Sequence, residues 1–400
     1  MKNEKMLKEI LLSVKELETK LNALLDEEKD SVSRKDAYAI LYEDCDLIFQ
    51  RGNVPDETKG KVLGVFTGFE ENEGYVEKSE TDNVYSTAPW LKTDYADKIK
   101  RVIVKNKISP KSTAGWFGET SEGITRGYRH LSNCIYMDLE KLDTGKVSNM
   151  SYMFCQCSSL TALDVSSFDT SKVMDMNSMF FNCSTLTTLD VSSFNTSKVM
   201  DMNSMFFNCS TLTTLDVSSF DTSKVTDMSG MFYNCSALTT VDVNGFDTSK
   251  VTDMNYMFCR CSKLTILDVS SFDTSKVMNM NSMFAECTAL TTVDVSSFDT
   301  SKVTDMSYMF CYCSALTTLD MSSFDTSKVI NMSGMFYNCS ALTTLDVSGF
   351  DTSSVTDNMN GVFIGCSTLK TVLVNPDHFD TKKVAREYKQ ISFQRPVSAI

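Results

Sequence analysis

Histidine is nearly missing from this chain: His130 and His378 are the only two in 400 residues. A zinc site needs histidine or paired cysteines, and most general bases are histidines, so this scarcity removes the commonest metal and acid–base chemistries. Cations are short as well. Thirty-eight Lys and Arg face 52 Asp and Glu, for a net charge of −14 and a pI near 4.7. Clustered basic residues are what a phosphate backbone requires, so nucleic acid is excluded as a partner, and so is an anionic membrane surface. No apolar run reaches the ~18 residues of a spanning helix, which excludes helical membrane insertion. No nucleophile–base pair, phosphate loop or metal motif is present. The two histidines are isolated, one in a cap region and one in a turn. The reading is therefore a non-enzyme, with no catalytic residues, no metal and no cofactor.

What is present is a period. Phe168, Phe194, Phe220, Phe246, Phe272, Phe298, Phe324 and Phe350 fall 26 residues apart. The segment from Leu212 to Cys235 reads LTTLDVSSFDTSKVTDMSGMFYNC, and every other copy is nearly the same. A fixed period of this length means a solenoid, in which one coil cannot bury its apolar face alone. Residues 168–193 and 194–219 differ only at Asp169 against Asn195, the mark of recent duplication. Nine of the 14 cysteines share one phase: Cys157, Cys183, Cys209, Cys235, Cys261, Cys287, Cys313, Cys339 and Cys366. They read as a column of buried small thiols rather than as bridges, because their side chains point in parallel. Cys155, Cys259 and Cys311 add C-x-C at places where other copies carry Phe, Tyr or Ala, so tolerance accounts for them better than metal does.

Five segments follow. Residues 1–30 carry Leu7, Ile10, Val14, Leu17, Leu21 and Leu24 at alternating spacings of three and four, an a/d seam of about three heptads. Leu at a with Ile at d, and Leu11 and Leu25 at e, lean toward three or four strands, with a trimer favoured. A docked amphipathic helix is the alternative. Residues 31–88 read as a small β-rich leader module. Ala37–Tyr42 and Asp46–Gln50 form a hairpin around an acidic turn, Lys61–Phe66 and Arg101–Val104 are further strands, and Glu70–Asp82 is a loop. Residues 89–141 form the N-terminal cap that an open solenoid end needs. Residues 142–374 are the array of about nine coils. Residues 375–400 form a C-terminal cap and tail. Within a coil, Leu212, Leu215 and Val217 fit a short inward-facing strand, Asp-Thr-Ser a turn, and Val225, Met228, Met231 and Phe232 a short α or 3₁₀ turn. The fold class is an α/β solenoid, a leucine-rich-repeat array preceded by a mixed β-rich region and a coiled-coil helix.

The pattern L-T-x-L-D-V-S-x-F-D-T-S-K-V-T-D-M-S-x-M-F-x-N-C-S resembles the BspA-like leucine-rich repeat of bacterial and mycoplasma surface proteins. The resemblance covers residues 142–374, and Ala88-Pro-Trp with Asp97 to Val104 resembles the cap that often precedes such arrays. It implies a non-enzymatic surface protein that attaches to a cell-surface protein or glycan, as a bacterial adhesin or a phage tail-fibre-like receptor-binding protein. A structural spacer or intracellular interaction scaffold is the rival reading. The first ten residues form no secretory signal. The expected location is extracellular, at a cell surface or on a virion, with the cytoplasm as the alternative.

Stacking turns each repeat position into a column. Asp164, Asp190, Asp216, Asp242, Asp268, Asp294, Asp320 and Asp346 line the strand face. They read either as a track for calcium or a cationic ligand, or as a solvated face whose Thr and Ser neighbours bond the carboxylates. Variation gathers at three other positions: residue 178 and its equivalents (Ser, Ser, Gly, Tyr, Ser, Tyr, Gly), residue 181 (Phe, Phe, Tyr, Cys, Ala, Cys, Tyr) and residue 182 (Asn, Asn, Asn, Arg, Glu, Tyr, Asn). The candidate binding residues are the aromatics there, Tyr233, Tyr256, Tyr308, Tyr312 and Tyr337, with Asp242, Asp268 and Asp294 setting charge preference. For the helical seam, light scattering of the full chain at micromolar concentration is expected to give a trimer or tetramer. Leu17→Lys should shrink it, and a monomeric wild type refutes the seam.

Overall fold

The computed structural model describes residues 36–52, 55–73, 76–78, 84–86, 88–118, 130–356, 359–384 and 391–396. The expected coiled coil of residues 1–30 lies outside them. The first described strands are β1 (Ala37–Tyr42) and β2 (Asp46–Arg51), antiparallel as two short apolar runs flanking an acidic turn predict. β3 (Val62–Phe66) pairs with the outer side of β1. The acidic stretch expected as a loop instead contains β4 (Val76–Lys78), paired with β5 (Val84–Ser86). β6 (Arg101–Val104) lies parallel to β2, and β7 (Tyr136–Asp138) lies parallel to β6, which gives one sheet of order β3-β1-β2-β6-β7. One sheet thus joins strands from both sides of residue 88. Fully buried Asp46 holds the β2–β6 join, taking Arg101 Nε at 2.6 Å and Nη2 at 2.8 Å, and Lys59 Nζ at 2.6 Å. Its two cationic partners compensate the desolvation of the carboxylate.

β7 starts the parallel stacking that the array continues. Two- and three-residue strands follow at the same phase of the coils, except the two between residues 190 and 265: β8 (Ala162–Leu163), β9 (Thr188–Leu189), β10 (Ile266–Leu267), β11 (Thr292–Val293), β12 (Thr318–Asp320), β13 (Thr344–Asp346) and β14 (Thr371–Leu373). Each pairs in parallel with an adjacent coil at the same phase, for example Leu319 with Leu345. The far end is closed by β15 (Ser392–Gln394), parallel to β14, with Phe379 and Phe393 over the last core layer. The core is one continuous body from Phe49 and Trp116, stacked at 5.3 Å, to these closing phenylalanines.

The rest of each coil departs from the expected helical turn. No helix occurs in the described array: the 3₁₀ segments are Glu57–Lys59, Ala96–Lys98 and Thr381–Lys383. Met176, Met179, Phe180 and Cys183 have helical spacing, yet they lie on linked tight turns. Met179 N donates to Met176 O, Phe181 N to Ser178 O and Cys183 N to Phe180 O. The alternate N–H groups leave the coil: Met176 N reaches Asp201 O, Ser178 N Asn203 O, Phe180 N Met205 O and Asn182 N Phe207 O, at 2.7–3.1 Å. Asn177 N goes to the Asp175 side chain at 2.9 Å. Every N–H from 176 to 183 therefore has an acceptor, so a helix would gain nothing. Three-residue turns return side chains to the same face at spacings of three and four, which is why the pattern reads as helical.

Inside, the second phenylalanine of each coil builds a ladder: Phe154, Phe180, Phe206, Phe232, Phe258, Phe284, Phe310, Phe336 and Phe363 stack with centroids 5.3–6.0 Å apart. Burying each ring contributes about 1.5–3 kcal/mol. Thr170 and its equivalents are buried and staple coil to coil, Thr170 Oγ1 donating to Asn195 O at 3.1 Å and Thr222 Oγ1 to Asp247 O at 3.0 Å.

The column cysteines are free and buried. Each thiol points at a carbonyl of the preceding coil, as Cys183 Sγ does at Phe154 O and Cys235 Sγ at Phe206 O, both 3.2 Å. Burial pushes Cys183 and Cys235 up to about 12 and Cys209 well above the ordinary thiol value. The nucleophilic thiolate is thus suppressed in the native state. Iodoacetamide should leave all nine column thiols unlabelled natively and label all nine in denaturant without reductant. Mass spectrometry that finds bridges between neighbouring coils contradicts this.

Candidate functional site

The linked turns dictate where sequence variation falls. The third residue of the first and last of these turns has positive φ, a left-handed backbone that favours Gly and Asn. One such column is Tyr152, Ser178, Ser204, Gly230, Tyr256, Ser282, Tyr308 and Gly334; the next is Gln156, Asn182, Asn208, Asn234, Arg260, Glu286, Tyr312 and Asn338. All sixteen have φ between 52° and 63°. Gly and Asn suit this backbone, and a bulky side chain there costs roughly 1–2 kcal/mol. The asparagines repay the fit with a ladder, Asn208 donating to Asn182 and Asn234 Nδ2 to Asn208 Oδ1 at 2.5 Å.

Aromatics occupy this flank by a simple exclusion. Where the first left-handed site holds Ser178, Ser204, Gly230 or Gly334, the residue three later is Phe181, Phe207, Tyr233 or Tyr337. Where it holds Tyr152, Tyr256 or Tyr308, the later residue shrinks to Cys155, Cys259 or Cys311. Both places compete for one volume above the coil. The coil with Ser282 and Ala285, and the last coil with Gly361 and Ile364, have neither aromatic. This exclusion accounts for the C-x-C cysteines: Cys259, Ala285 and Cys311 form their own buried cluster, with Tyr233 and Tyr337 packed at its ends.

The five candidate tyrosines therefore divide. Tyr233 and Tyr337 are half-buried end walls. Tyr256, Tyr308 and Tyr312 stand out, 42%, 45% and 43% exposed. Tyr256 meets Tyr233 edge-on at 6.0 Å, and Tyr312 lies 5.4 Å from Tyr337. Tyr308 lies against Gly334, where any Cβ would collide with the ring. Arg260 sits over Tyr233 at 5.7 Å from the ring centroid and pairs with Glu286 at 3.0 Å.

The candidate aspartates belong to another surface. The strand face forms an open groove of about 1250 Å³ lined by Thr188, Asp190, Thr214, Asp216 and Asp242, among others, with exposed Ile135 and Tyr136 at its N-terminal rim. Asp268 and Asp294 stand on the same face beyond this lining. Sequence reasoning missed the rim; its signal was two adjacent apolar residues just ahead of the first repeat. Each strand-face carboxylate is tied into its own turn: Asp216 Oδ1 accepts Ser218 Oγ at 2.6 Å and Ser218 N at 3.0 Å, while Asp242 accepts Asn244 N at 3.1 Å. The serine hydroxyl first, then its N–H, holds Asp164, Asp190, Asp216, Asp268 and Asp294 below the usual carboxylate range. Among the described residues no three His, Cys, Asp or Glu side chains converge as a metal site.

Four overlapping stretches, 124–240, 200–315, 230–342 and 289–395, match the family described as "Mycoplasma protein of unknown function, DUF285". The chain belongs to this family. Its repeat is of the BspA-like leucine-rich type. Among solved structures, a leucine-rich cell surface protein of Faecalibacterium prausnitzii is 14% identical, with 91% of this chain and 97% of that one covered and a TM-score of 0.33. A leucine-rich repeat protein of Bacteroides ovatus is also 14% identical, with 90% and 98% covered and a TM-score of 0.34. Similarity at this level says nothing of function. No curated protein matches.

The aspartate geometry of this family member has a consequence for pH. Carboxylates whose folded pKa lies below the unfolded value of about 3.9 stabilise the fold above that value and lose the contribution as pH falls through the folded pKa. Asp169, Asp221, Asp247, Asp273 and Asp299, also lowered by their serines, act in the same direction. Asp253, raised by burial, acts against them. The melting temperature followed by circular dichroism should be flat near neutrality and drop below about pH 4. A melting temperature that rises in acid would show that repulsion along the columns outweighs the turn bonds.

Proposed function

We propose that this protein is a non-enzymatic attachment protein, a bacterial adhesin or a phage tail-fibre-like receptor-binding protein. Its solenoid meets a cell-surface ligand through the ridge of Tyr256, Tyr308 and Tyr312. One observation carries the reading. These three bulky residues occupy left-handed backbone sites that Ser, Gly or Asn fill in most other coils, and they are exposed. Such strain persists where it is useful, and ligand clamps are a common place for it. Large rigid rings also supply contact area at low entropy cost. Asp242, Asp268 and Asp294 on the strand face set a preference against anionic ligands. Oligomerisation through residues 1–30 would multiply a modest single-site affinity.

The test is saturable binding of purified protein to intact cells. Replacing Tyr256 and Tyr308 with Ser, and Tyr312 with Asn, installs residues that other coils already carry at these sites. The triple variant should lose attachment while its melting temperature moves by no more than a few degrees. Attachment that survives this change but fails in Asp242→Ala with Asp268→Ala moves the site to the strand groove. Absence of saturable binding by the wild type favours a spacer or scaffold.

A further inference from the structure

We propose that the ligand of the tyrosine ridge is an extended, uncharged polysaccharide of β-linked pyranoses, of cellulose or chitin type. The proposal rests on the reading above that the ridge is the contact surface.

Three observations point to it. The first is spacing. Tyr256 and Tyr308 hold the same phase two coils apart, with Ser282 between them. Coils stack at the parallel-strand distance, so the backbone positions that carry the two rings recur about 10 Å apart. In an extended β-linked chain every second sugar is turned over, so the same apolar ring face recurs once per disaccharide, a comparable distance. An α-linked chain coils and does not present faces in this way.

The second is which rings are open. Phe207 is sandwiched between Phe181 and Tyr233, at 4.5 and 4.2 Å, and Arg260 lies over the Tyr233 ring. Tyr256 is held from the side by Tyr233, and Tyr308 rests on the bare backbone of Gly334, so both rings are fixed without being sandwiched. Open ring surface is thus concentrated between residues 256 and 312. Sugar C–H groups stack on such surfaces because the ring face is electron-rich.

The third is charge complementarity. Arg260 and Glu286 neutralise each other within the ridge and keep spare donor and acceptor capacity for hydroxyls. The whole chain carries −14, which repels polyanions. An uncharged polyol fits both facts.

Titration calorimetry of the intact chain with cellohexaose, chitohexaose and maltohexaose tests the assignment. One of the two β-linked sugars should bind, and maltohexaose should bind about tenfold more weakly or not at all. Tyr256→Ser and Tyr308→Ser should each weaken binding about tenfold, as loss of an aromatic anchor does, while Tyr136→Ser at the strand groove should change nothing. Deleting residues 270–295 removes one whole coil and brings Tyr256 and Tyr308 to adjacent coils. That variant should keep its circular dichroism spectrum and lose the sugar. Equal affinity for maltohexaose, undiminished binding by the deletion variant, or no binding of any sugar overturns the assignment. Cell attachment separates the two claims. If the tyrosine variants lose attachment yet the wild type binds no sugar, the ridge stands and the polysaccharide falls. If the variants still attach, the ridge itself is wrong.

Discussion

The structure depends on sideways donation of backbone hydrogen bonds. A coil of this length has too little regular structure to satisfy its own amides: its strands are two or three residues long. The turn flank instead sends every second N–H to the next coil and closes the others within its own turns. That division sets the chemistry of each position. Residues that donate to the next coil must alternate with residues that close the turns, two of the donors, such as Ser178 and Asn182, must be left-handed, and the aspartate or asparagine ahead of the flank must cap the one amide left over, as Asp227 does for Ser229 at 2.8 Å. Removing one coil's acceptors would leave its neighbour with buried unpaired donors, each costing about 1–3 kcal/mol. The parallel register is therefore held on two sides at once, by the strands and by the turns.

Much of this was legible beforehand. The 26-residue period, the buried Leu, Val, Met and Phe columns and the free cysteine column follow from the repeat alone. The hairpin Ala37–Tyr42 with Asp46–Arg51 was equally readable, because its two apolar runs and its turn are local. What escaped has a physical cause in each case. Linked turns and a helix both return side chains at three and four residues, so Met176, Met179 and Phe180 could not distinguish them. The parallel join of β2 with β6 brings together residues 55 apart, which no local pattern records. Thr170 looked like turn chemistry but is buried and bonded to the next coil, since only stacking supplies the Asn195 carbonyl that it needs.

The candidate tyrosines show the same limit. Their variation between coils was visible, but its meaning was not. Positive φ at positions 178 and 182 shows that the variable residues sit where the backbone resists ordinary side chains. Ser, Gln, Arg and Glu also occupy such sites, so the backbone cost alone does not single out the tyrosines. Their exposure does: three open rings stand within two coils, at Tyr256, Tyr308 and Tyr312. The aspartates, by contrast, are explained without a ligand: each completes its own turn through the residue two on, Asn244 for Asp242 and a serine for the others, so their recurrence follows from folding.

Asn195 shows how such an array can grow without losing its site. It replaces an aspartate in an otherwise identical pair of coils and still caps Ser197 N at 3.1 Å. The turn needs an acceptor oxygen, not a charge, and a duplicated coil satisfies its neighbours at once. Because each coil bonds only to the two beside it, inserting one between the cap and Tyr256 would move the ridge outward by about 4.8 Å and leave its internal spacing intact. Inserting one between Tyr256 and Tyr308 would instead change that spacing. Selection for a ligand would thus tolerate duplication at residues 168–219, where the near-identical copies occur, and oppose it within 256–312.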